Sequence, residues 1–255
     1  MLIADYAAYM ICTAPRSGST LLCRLLAETG VAGNPASYFH EPSLGEWTRR
    51  LGVDQEGAAS EHEIVEACIQ AALLRGRSEN GVFGLRLQRP SFDFFFSSLA
   101  LLCPDETTDR GQFEHVFGRT LFIHLSRADK VEQAVSCMKA EQTGLWHVAA
   151  DGSDVERTGP GREPEYDGKG LRAWVDTMVD YDKAWSAWFA REAIAPIAIS
   201  YDQLSSEPQG ALRRILTPLG LDPAAADRVS PSLRKMADDT NQAWVARFRA
   251  ELGSA

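Results

Sequence analysis

The chain lacks the features that mark a disulfide-bonded, zinc-binding or membrane-spanning protein. Its five cysteines are scattered, odd in number and without a CxxC spacing, so we expect buried reduced thiols and no metal site. The sequence has no run of about 18 uninterrupted apolar residues, and no positive charge precedes its first apolar run. These absences predict a soluble, cytoplasmic protein without a transmembrane segment.

Positive charge is scarce as well. The 255 residues carry a formal net charge of -9, and lysine and arginine form no dense cluster along the sequence. Duplex nucleic acids are bound largely by basic side chains that neutralise many phosphates, so this balance argues against a nucleic-acid partner. An anionic ligand would have to be held by a few basic groups in a local pocket.

Apolar segments that alternate with helical patterns extend along most of the chain. Continuous apolar runs, typical of strands buried on both faces, cover residues 8–13, 81–87, 120–125 and 194–200. Helical patterns cover residues 19–29, 60–75, 130–142, 170–191, 202–219 and 242–252. The alternation predicts one α/β domain over residues 1–255, a P-loop-like three-layer sandwich with a central parallel sheet flanked by helices. Residues 150–169, rich in glycine, proline and charge, are predicted to form a loop or lid.

The stretch TAPRSGSTLL, residues 13–22, joins the first predicted strand to the first predicted helix. Aligned on Gly18, it follows the phosphate-loop pattern GxxxxGK[ST] and keeps Thr20 at the hydroxyl position. Thr13 replaces the first glycine, and Ser19 replaces the lysine that would reach the β- and γ-phosphates of a nucleoside triphosphate. A single phosphate can still be bound by backbone N–H groups, hydroxyls and the positive end of a helix.

Residues 13–22 could also be a simple helix N-cap without a ligand. A second positive residue, Arg127, favours the phosphate-loop interpretation. Arg127 follows the apolar run 120–125, and Ser136 lies nine residues later on the next predicted helix. Because the carboxyl ends of parallel strands open on one crevice, the loop and Arg127 are expected to hold two phosphates of one ligand. We assign to the first phosphate the residues Arg16, Ser17, Gly18, Ser19 and Thr20.

Taken together, these motifs resemble the two phosphate sites of sulfotransferases that use 3′-phosphoadenosine 5′-phosphosulfate (PAPS). The resemblance is most specific to the bacterial family that includes trehalose 2-sulfotransferase and lipopolysaccharide sulfotransferases. Its segments occur in the family's order: SGSTLL, GVAGNPASYF, NGVFGLRL, EQAVS and WVARFR. It implies an enzyme that moves a sulfuryl group from PAPS to a hydroxyl of a carbohydrate, glycolipid or natural product, releases 3′-phosphoadenosine 5′-phosphate (PAP) and requires no metal.

The resemblance also implies roles for individual residues. The first loop would bind the 5′-phosphosulfate, whereas Arg127 and Ser136 would bind the 3′-phosphate. Arg86, where the relatives carry a lysine, would contact the sulfonate or the acceptor, and Arg16 would assist at the transferred group. A surface arginine at a strand end is the alternative for Arg86.

The catalytic base is the point at which this chain departs from its relatives. Those enzymes place a glutamate shortly before a pair of aromatic residues, and the matching position here is Ser37, in front of Tyr38 and Phe39. A serine cannot accept a proton at neutral pH, which leaves His40 and Glu41. An unperturbed imidazole has a pKa of about 6.5, so His40 is a suitable base, with Glu41 orienting it or acting as the base itself. A loop histidine bonded to backbone is the alternative for His40.

Other residues have both a structural and a functional interpretation. Lys235 and Arg247 would complete the nucleotide pocket or lie on a solvated face. The aromatic run 92–96 is assigned to helix packing, with an acceptor site or a homodimer surface as alternatives. His124 is expected to be a hydrogen-bonded core residue or a neighbour of Arg127. A P-loop-type small-molecule kinase and a non-catalytic nucleotide-binding module are the alternative functions.

Overall fold

The computed structural model describes residues 6–54, 60–148, 154–157, 159, 161–229 and 239–253. The strands in these ranges are β1 (Ala8–Thr13), β2 (Phe83–Gln88), β3 (Thr120–Ser126), β4 (Leu145–Val148), β5 (Asp154–Arg157) and β6 (Ile197–Ser200). The α-helices are α1 (Ser19–Glu28), α2 (Leu44–Leu51), α3 (Glu61–Gly76), α4 (Phe92–Ala100), α5 (Asp109–Phe117), α6 (Lys130–Thr143), α7 (Gly168–Arg191), α8 (Tyr201–Ser206), α9 (Pro208–Leu216) and α10 (Asp239–Gly253).

Four strands form one parallel sheet in the order β2-β1-β3-β6, which confirms the predicted α/β fold. β1 lies between β2 and β3, and all of its residues are buried. Thr13, the last residue of β1, is in register with Gln88 and Leu125, so the carboxyl ends of three strands meet at one edge. The chain segments that follow these ends therefore open on one crevice.

Helices cover both faces of this sheet. Met10 and Cys12 of β1 face an aromatic-rich core, to which α2, α3, α4, α5 and α7 contribute. Tyr9 and Ile11 face a largely aliphatic core formed with α1 and α9. Three of the phenylalanines of α4 are buried in the aromatic core, in agreement with the packing role predicted for the run 92–96. The sandwich thus leaves the carboxyl ends of the strands as the edge on which the predicted site residues lie.

Two predicted segments differ from the structure. The predicted helix 202–219 is wrong as one element, because α8 and α9 are separate helices. Pro208 is the first residue of α9, and a proline has no N–H with which to continue the preceding helix. The predicted loop 150–169 is wrong in part, since it contains β5, paired antiparallel with β4, and the start of α7. Residues 150–153, 158 and 160 of that segment lie outside the described ranges.

The short helices α2 and α5 are not evident from apolar periodicity. Ser43 precedes α2 and accepts the backbone N–H of Glu46, and Thr108 precedes α5 and accepts the backbone N–H of Gly111. These hydroxyl N-caps are the sequence signal that could have located both helices. Within the described ranges, no helix is long and apolar enough to cross a membrane.

Candidate active site

The phosphate loop, residues 13–20, makes a tight turn from β1 into α1. Arg16 has a φ of 60°, and Gly18, the N-cap of α1, has a φ of 86°. A Cβ atom added to Gly18 would lie 2.6 Å from Cδ2 of Tyr201, so space as well as backbone conformation requires glycine here. Turns that enter the left-handed region bring backbone N–H groups together into an anion-binding concavity.

Hydroxyl groups brace the phosphate loop from inside. Thr13 Oγ1 donates to the carbonyl of Leu125 on β3 at 2.9 Å, and Ser17 Oγ donates to the carbonyl of Ala14 at 2.8 Å. The hydroxyl oxygens of Thr13 and Ser17 also lie against each other, and both residues are fully buried. The hydroxyl of Ser17 therefore stabilises the loop itself.

A positive charge lies next to Ser19, the residue that replaces the lysine of the phosphate-loop pattern, and it comes from the neighbouring strand β2. Arg86 of β2 donates from Nη1 to Thr20 Oγ1 at 2.7 Å and lies 3.5 Å from Ser19 Oγ. Its Nε donates to Ser37 Oγ at 2.7 Å. Ser19 and Thr20 are the first two residues of α1, so the guanidinium lies at the positive end of that helix, where an anion is favoured.

The residues predicted to bind the 5′-phosphosulfate and those predicted to bind the 3′-phosphate are in contact in the structure. Arg16, predicted at the 5′-phosphosulfate, donates from Nε to Oγ of Ser136, predicted at the 3′-phosphate, at 2.9 Å. Its Nη1 donates to the carbonyl of Trp146. Arg16 thus extends from the loop onto α6 and β4, an arrangement that sequence spacing did not indicate.

Arg127 approaches the loop from another side. Its side chain is buried, with Nη2 2.5 Å from Glu132 Oε2 and the guanidinium carbon 4.7 Å from the ring centre of Tyr201. The same ring lies against Gly18, so Tyr201 links Arg127 to the loop. Sequence analysis missed Tyr201, whose only local signal is its position directly after β6, at the carboxyl edge of the sheet.

The two base candidates lie on a firmly held backbone. The carbonyl of His40 accepts a hydrogen bond from Ser91 Oγ, and the carbonyl of Glu41 accepts one from Trp47 Nε1 at 2.6 Å. The side chains are 36% and 48% exposed, and His40 Nε2 lies 3.7 Å from Glu41 Oε1. Both groups are therefore accessible to an acceptor, and Glu41 is placed to interact with a protonated imidazole.

Two cysteines lie beside the arginines of the site. Burial raises the pKa of Cys23, with Arg86 opposing the shift, and raises the pKa of Cys137 to about 12, with Arg16 opposing it. All five cysteines of the chain are buried and free of disulfides. These thiols remain protonated near neutral pH and act as packing residues rather than nucleophiles.

Lys235 and Arg247 are the other basic residues predicted to complete a nucleotide pocket, and the structure adds little about that role. Lys235 lies outside the described ranges. Arg247 is mostly exposed on α10, where its Nε lies 3.0 Å from Glu251 Oε1 and its guanidinium stacks 3.7 Å from the ring centre of Tyr166. Among the residues that the structure describes, histidine, cysteine and acidic side chains form no cluster of three or more that could hold a metal ion.

The parallel α/β sheet, with a lysine-free phosphate loop and arginines around it, defines a P-loop-like fold. Folds of this kind bind their ligands at the carboxyl ends of the strands. Residues 8–251 match the model of a family described as Stf0 sulphotransferase. The chain belongs to this sulfotransferase family, which confirms the resemblance drawn from its motifs.

Similar proteins include two trehalose 2-sulfotransferases. The protein of Mycobacterium tuberculosis is 31% identical in an alignment of length 265 that covers 95% of this chain and 94% of the relative. That of Mycolicibacterium smegmatis is 29% identical in an alignment of length 262 that covers 96% of this chain and 95% of the relative. The solved sulfotransferase domain of the Synechococcus PCC 7002 olefin synthase has 16% identity and a TM-score of 0.42, covering 95% of this chain and 86% of its own, a likeness too distant to inform the function.

Proposed function

We propose that this sulfotransferase moves a sulfuryl group from PAPS to a hydroxyl of a carbohydrate, glycolipid or related natural product. The observation that carries the proposal is the position of Arg86, on the hydroxyls of Ser19 and Thr20 at the N-terminus of α1. One fixed cation there suits a single phosphosulfate group. A nucleoside triphosphate with magnesium would instead call for the loop lysine that this chain lacks.

In this proposal the nucleotide lies along the carboxyl edge of the sheet. We assign its 5′-phosphosulfate to the loop N–H groups, Ser19, Thr20 and Arg86, and its 3′-phosphate to Arg127 and Ser136. Bound PAPS supplies the sulfuryl group, and negative charge then develops on the leaving phosphate oxygen, as in phosphoryl transfer. Arg86 and the N-terminus of α1 stabilise that charge at little reorganisation cost, because hydrogen bonds already hold the guanidinium in place.

The acceptor lies next to residues 37–41, which we term the acceptor-side segment. Ser37 binds Arg86, so its hydroxyl positions a cation and does not take up a proton. His40 accepts the proton of the attacking hydroxyl, and Glu41, 3.7 Å away, stabilises the imidazolium that forms. The names of the two similar proteins support a carbohydrate as acceptor.

Calorimetric titration tests the donor and separates the alternative functions. Purified protein is titrated with PAP and, separately, with ATP and magnesium, and we expect PAP to bind more tightly. Tighter binding of ATP with magnesium would indicate a kinase. The protein is then incubated with labelled PAPS and a panel of carbohydrates and glycolipids, and sulfated products are detected by mass spectrometry. Binding of PAP without a sulfated product from any acceptor would favour a non-catalytic nucleotide-binding module.

A further inference from the structure

A partly buried polar network links the phosphate loop to α6 and α7. Lys130, the first residue of α6, places Nζ 2.6 Å from the carbonyl of Arg127, 2.5 Å from Asp182 Oδ2 of α7 and 3.3 Å from Gln133 Oε1. Gln133 is fully buried and donates from Nε2 to the carbonyl of Pro15 at 2.7 Å. One ammonium group therefore connects Arg127, the phosphate loop and α7.

We propose that Lys130 and Gln133 are positioning residues, which set the phosphate loop and Arg127 at the spacing of the two phosphates of one nucleotide. This inference rests on the proposed function, since it concerns recognition of the 5′- and 3′-phosphates of PAP and PAPS. Neither residue is assigned to contact the ligand. Gln133 acts through the loop backbone, and Lys130 acts through both Gln133 and Arg127.

The geometry of one peptide group explains how Gln133 acts. The Pro15–Arg16 peptide is trans, so the carbonyl of Pro15 and the N–H of Arg16 point in opposite directions. Because Gln133 holds the carbonyl toward α6, the N–H is turned away from α6. Arg16 has a positive φ, and a fixed peptide plane holds this turn in one conformation. Gln133 thereby orients an N–H group for the 5′-phosphate.

Lys130 acts at the other end of the network. It holds the backbone of Arg127 at the point where the chain leaves β3 and enters α6. Its side chain is 16% exposed and that of Asp182 is 26% exposed, so little water is available to replace either partner. Loss of the ammonium would free the carbonyl of Arg127 and one end of the Gln133 amide together, and should loosen both phosphate sites.

Binding of three nucleotides, PAP, 5′-AMP and 3′-AMP, distinguishes the role of Gln133 from that of Lys130. We expect Gln133→Leu to weaken binding of PAP and 5′-AMP by about tenfold, the upper range for one lost hydrogen bond, and to leave binding of 3′-AMP within about twofold of wild type. Lys130→Met should weaken binding of all three. Affinities are measured by calorimetry, with competition against PAP for the weaker ligands. Lys183→Met, which removes the exposed ion pair with Asp180 on α7, is the matched control and should change none of them.

Each outcome bears on one of the two claims. Wild-type protein that binds none of the three nucleotides contradicts the proposed function. If wild type binds PAP but Gln133→Leu weakens 3′-AMP as much as 5′-AMP, or weakens neither, the positioning role is wrong. Should Gln133→Leu fail to fold, Asp182→Asn keeps the side-chain shape and weakens the hold on Lys130 from α7. It should reduce affinity for all three nucleotides by about threefold, and wild-type affinities in that variant would also overturn the inference.

Discussion

The phosphate loop and the acceptor-side segment are held in different ways. In the loop, the side chains of Thr13 and Ser17 are fully buried and bonded to their surroundings. The carbonyl of Thr13 accepts a hydrogen bond from Trp185 Nε1 at 2.9 Å, so the loop backbone is fixed from α7 as well. In the acceptor-side segment the backbone of His40 and Glu41 is anchored, but their side chains are a third to a half exposed.

This difference indicates a division of labour. In the proposed function, the phosphate loop and Arg127 form the donor side. Its groups are already bonded in the structure, so binding of a nucleotide should cost little ordering. The acceptor-side segment presents two partly exposed side chains, those of His40 and Glu41, on an anchored backbone, and the same proposal assigns them to the acceptor hydroxyl. Changes in the loop region should therefore alter nucleotide affinity and stability, whereas changes at His40 and Glu41 should alter turnover alone.

The largest effect is expected at His40. If the imidazole accepts the acceptor's proton, His40→Ala should lower kcat by about 10²–10⁴-fold, the usual contribution of a positioned base. Its affinity for PAP should stay within about twofold of wild type, because the proposed function assigns His40 to the acceptor and not to the nucleotide. Steady-state kinetics with a turned-over acceptor and titration with PAP measure the two quantities on the same protein.

Glu41→Gln is the companion variant. It keeps the size of the side chain and removes the charge next to the imidazole, so its effect on kcat should be smaller than that of His40→Ala. An inactive Glu41→Gln beside a nearly active His40→Ala would assign the base to Glu41. A loss of PAP affinity in either variant would contradict the separation of the two sides.

Arg127→Ala tests the donor side. Removing the guanidinium should weaken binding of PAP by about 1.5–3 kcal/mol, the range for a hydrogen bond to a charged group. The effect should nearly vanish for 5′-AMP, which lacks the 3′-phosphate. Calorimetry with both nucleotides measures the difference, and an equal loss for both would show that Arg127 is not at the 3′-phosphate.

The fold could be predicted from the sequence because its signals are local. The strands of the parallel sheet are continuous apolar runs, and β1 was located with its observed bounds. Helices α2 and α5 were missed, since their apolar faces are short and only a hydroxyl N-cap marks each of them. Pro208, which separates α8 from α9, was a visible signal that the long apolar pattern 202–219 obscured.

The candidate site was predictable in its residues more than in its contacts. The loop, Arg86 and Arg127 follow from motifs, but the contact of Arg16 with Ser136 joins residues 120 positions apart. The hydrogen bonds of Gln133 to Pro15 and of Arg86 to Ser37 likewise join residues far apart in the sequence, 118 and 49 positions. Such contacts depend on which strands are neighbours and how α6 and α7 pack, and one-dimensional spacing does not contain that information.

A smaller effect is expected from the brace inside the loop. Thr13→Val keeps the shape of the side chain and removes the hydroxyl that donates to Leu125, so the free energy of unfolding should fall by about 1–1.5 kcal/mol. Thr177→Val is the control, because its hydroxyl donates to the carbonyl of Ala173 in an exposed part of α7. Urea denaturation measures both, and equal changes would argue against a special role for the buried brace.

The smallest effect is expected to be a pH dependence of stability that arises at His124 of β3. The sequence predicted either a hydrogen-bonded core histidine or a neighbour of Arg127. In the structure, Nε2 of His124 is buried and bonds to none of the residues that the structure describes. The ring of His124 lies 5.4 Å from that of Phe189. Burial lowers the pKa of His124, with Asp182 opposing the shift and Lys130 adding to it.

The folded protein thus favours the neutral imidazole of His124, whereas the unfolded chain takes up a proton near the ordinary histidine pKa of about 6.5. Stability from this residue is complete above that pH and is lost as the pH falls below it. We expect the free energy of unfolding of wild type to decline more steeply between about pH 6.5 and 5 than that of His124→Phe, by at most the slope of one proton. The exposed His62→Gln variant should follow wild type in the same urea titrations. A His124→Phe curve parallel to wild type would show that the imidazole of His124 does not couple folding to pH.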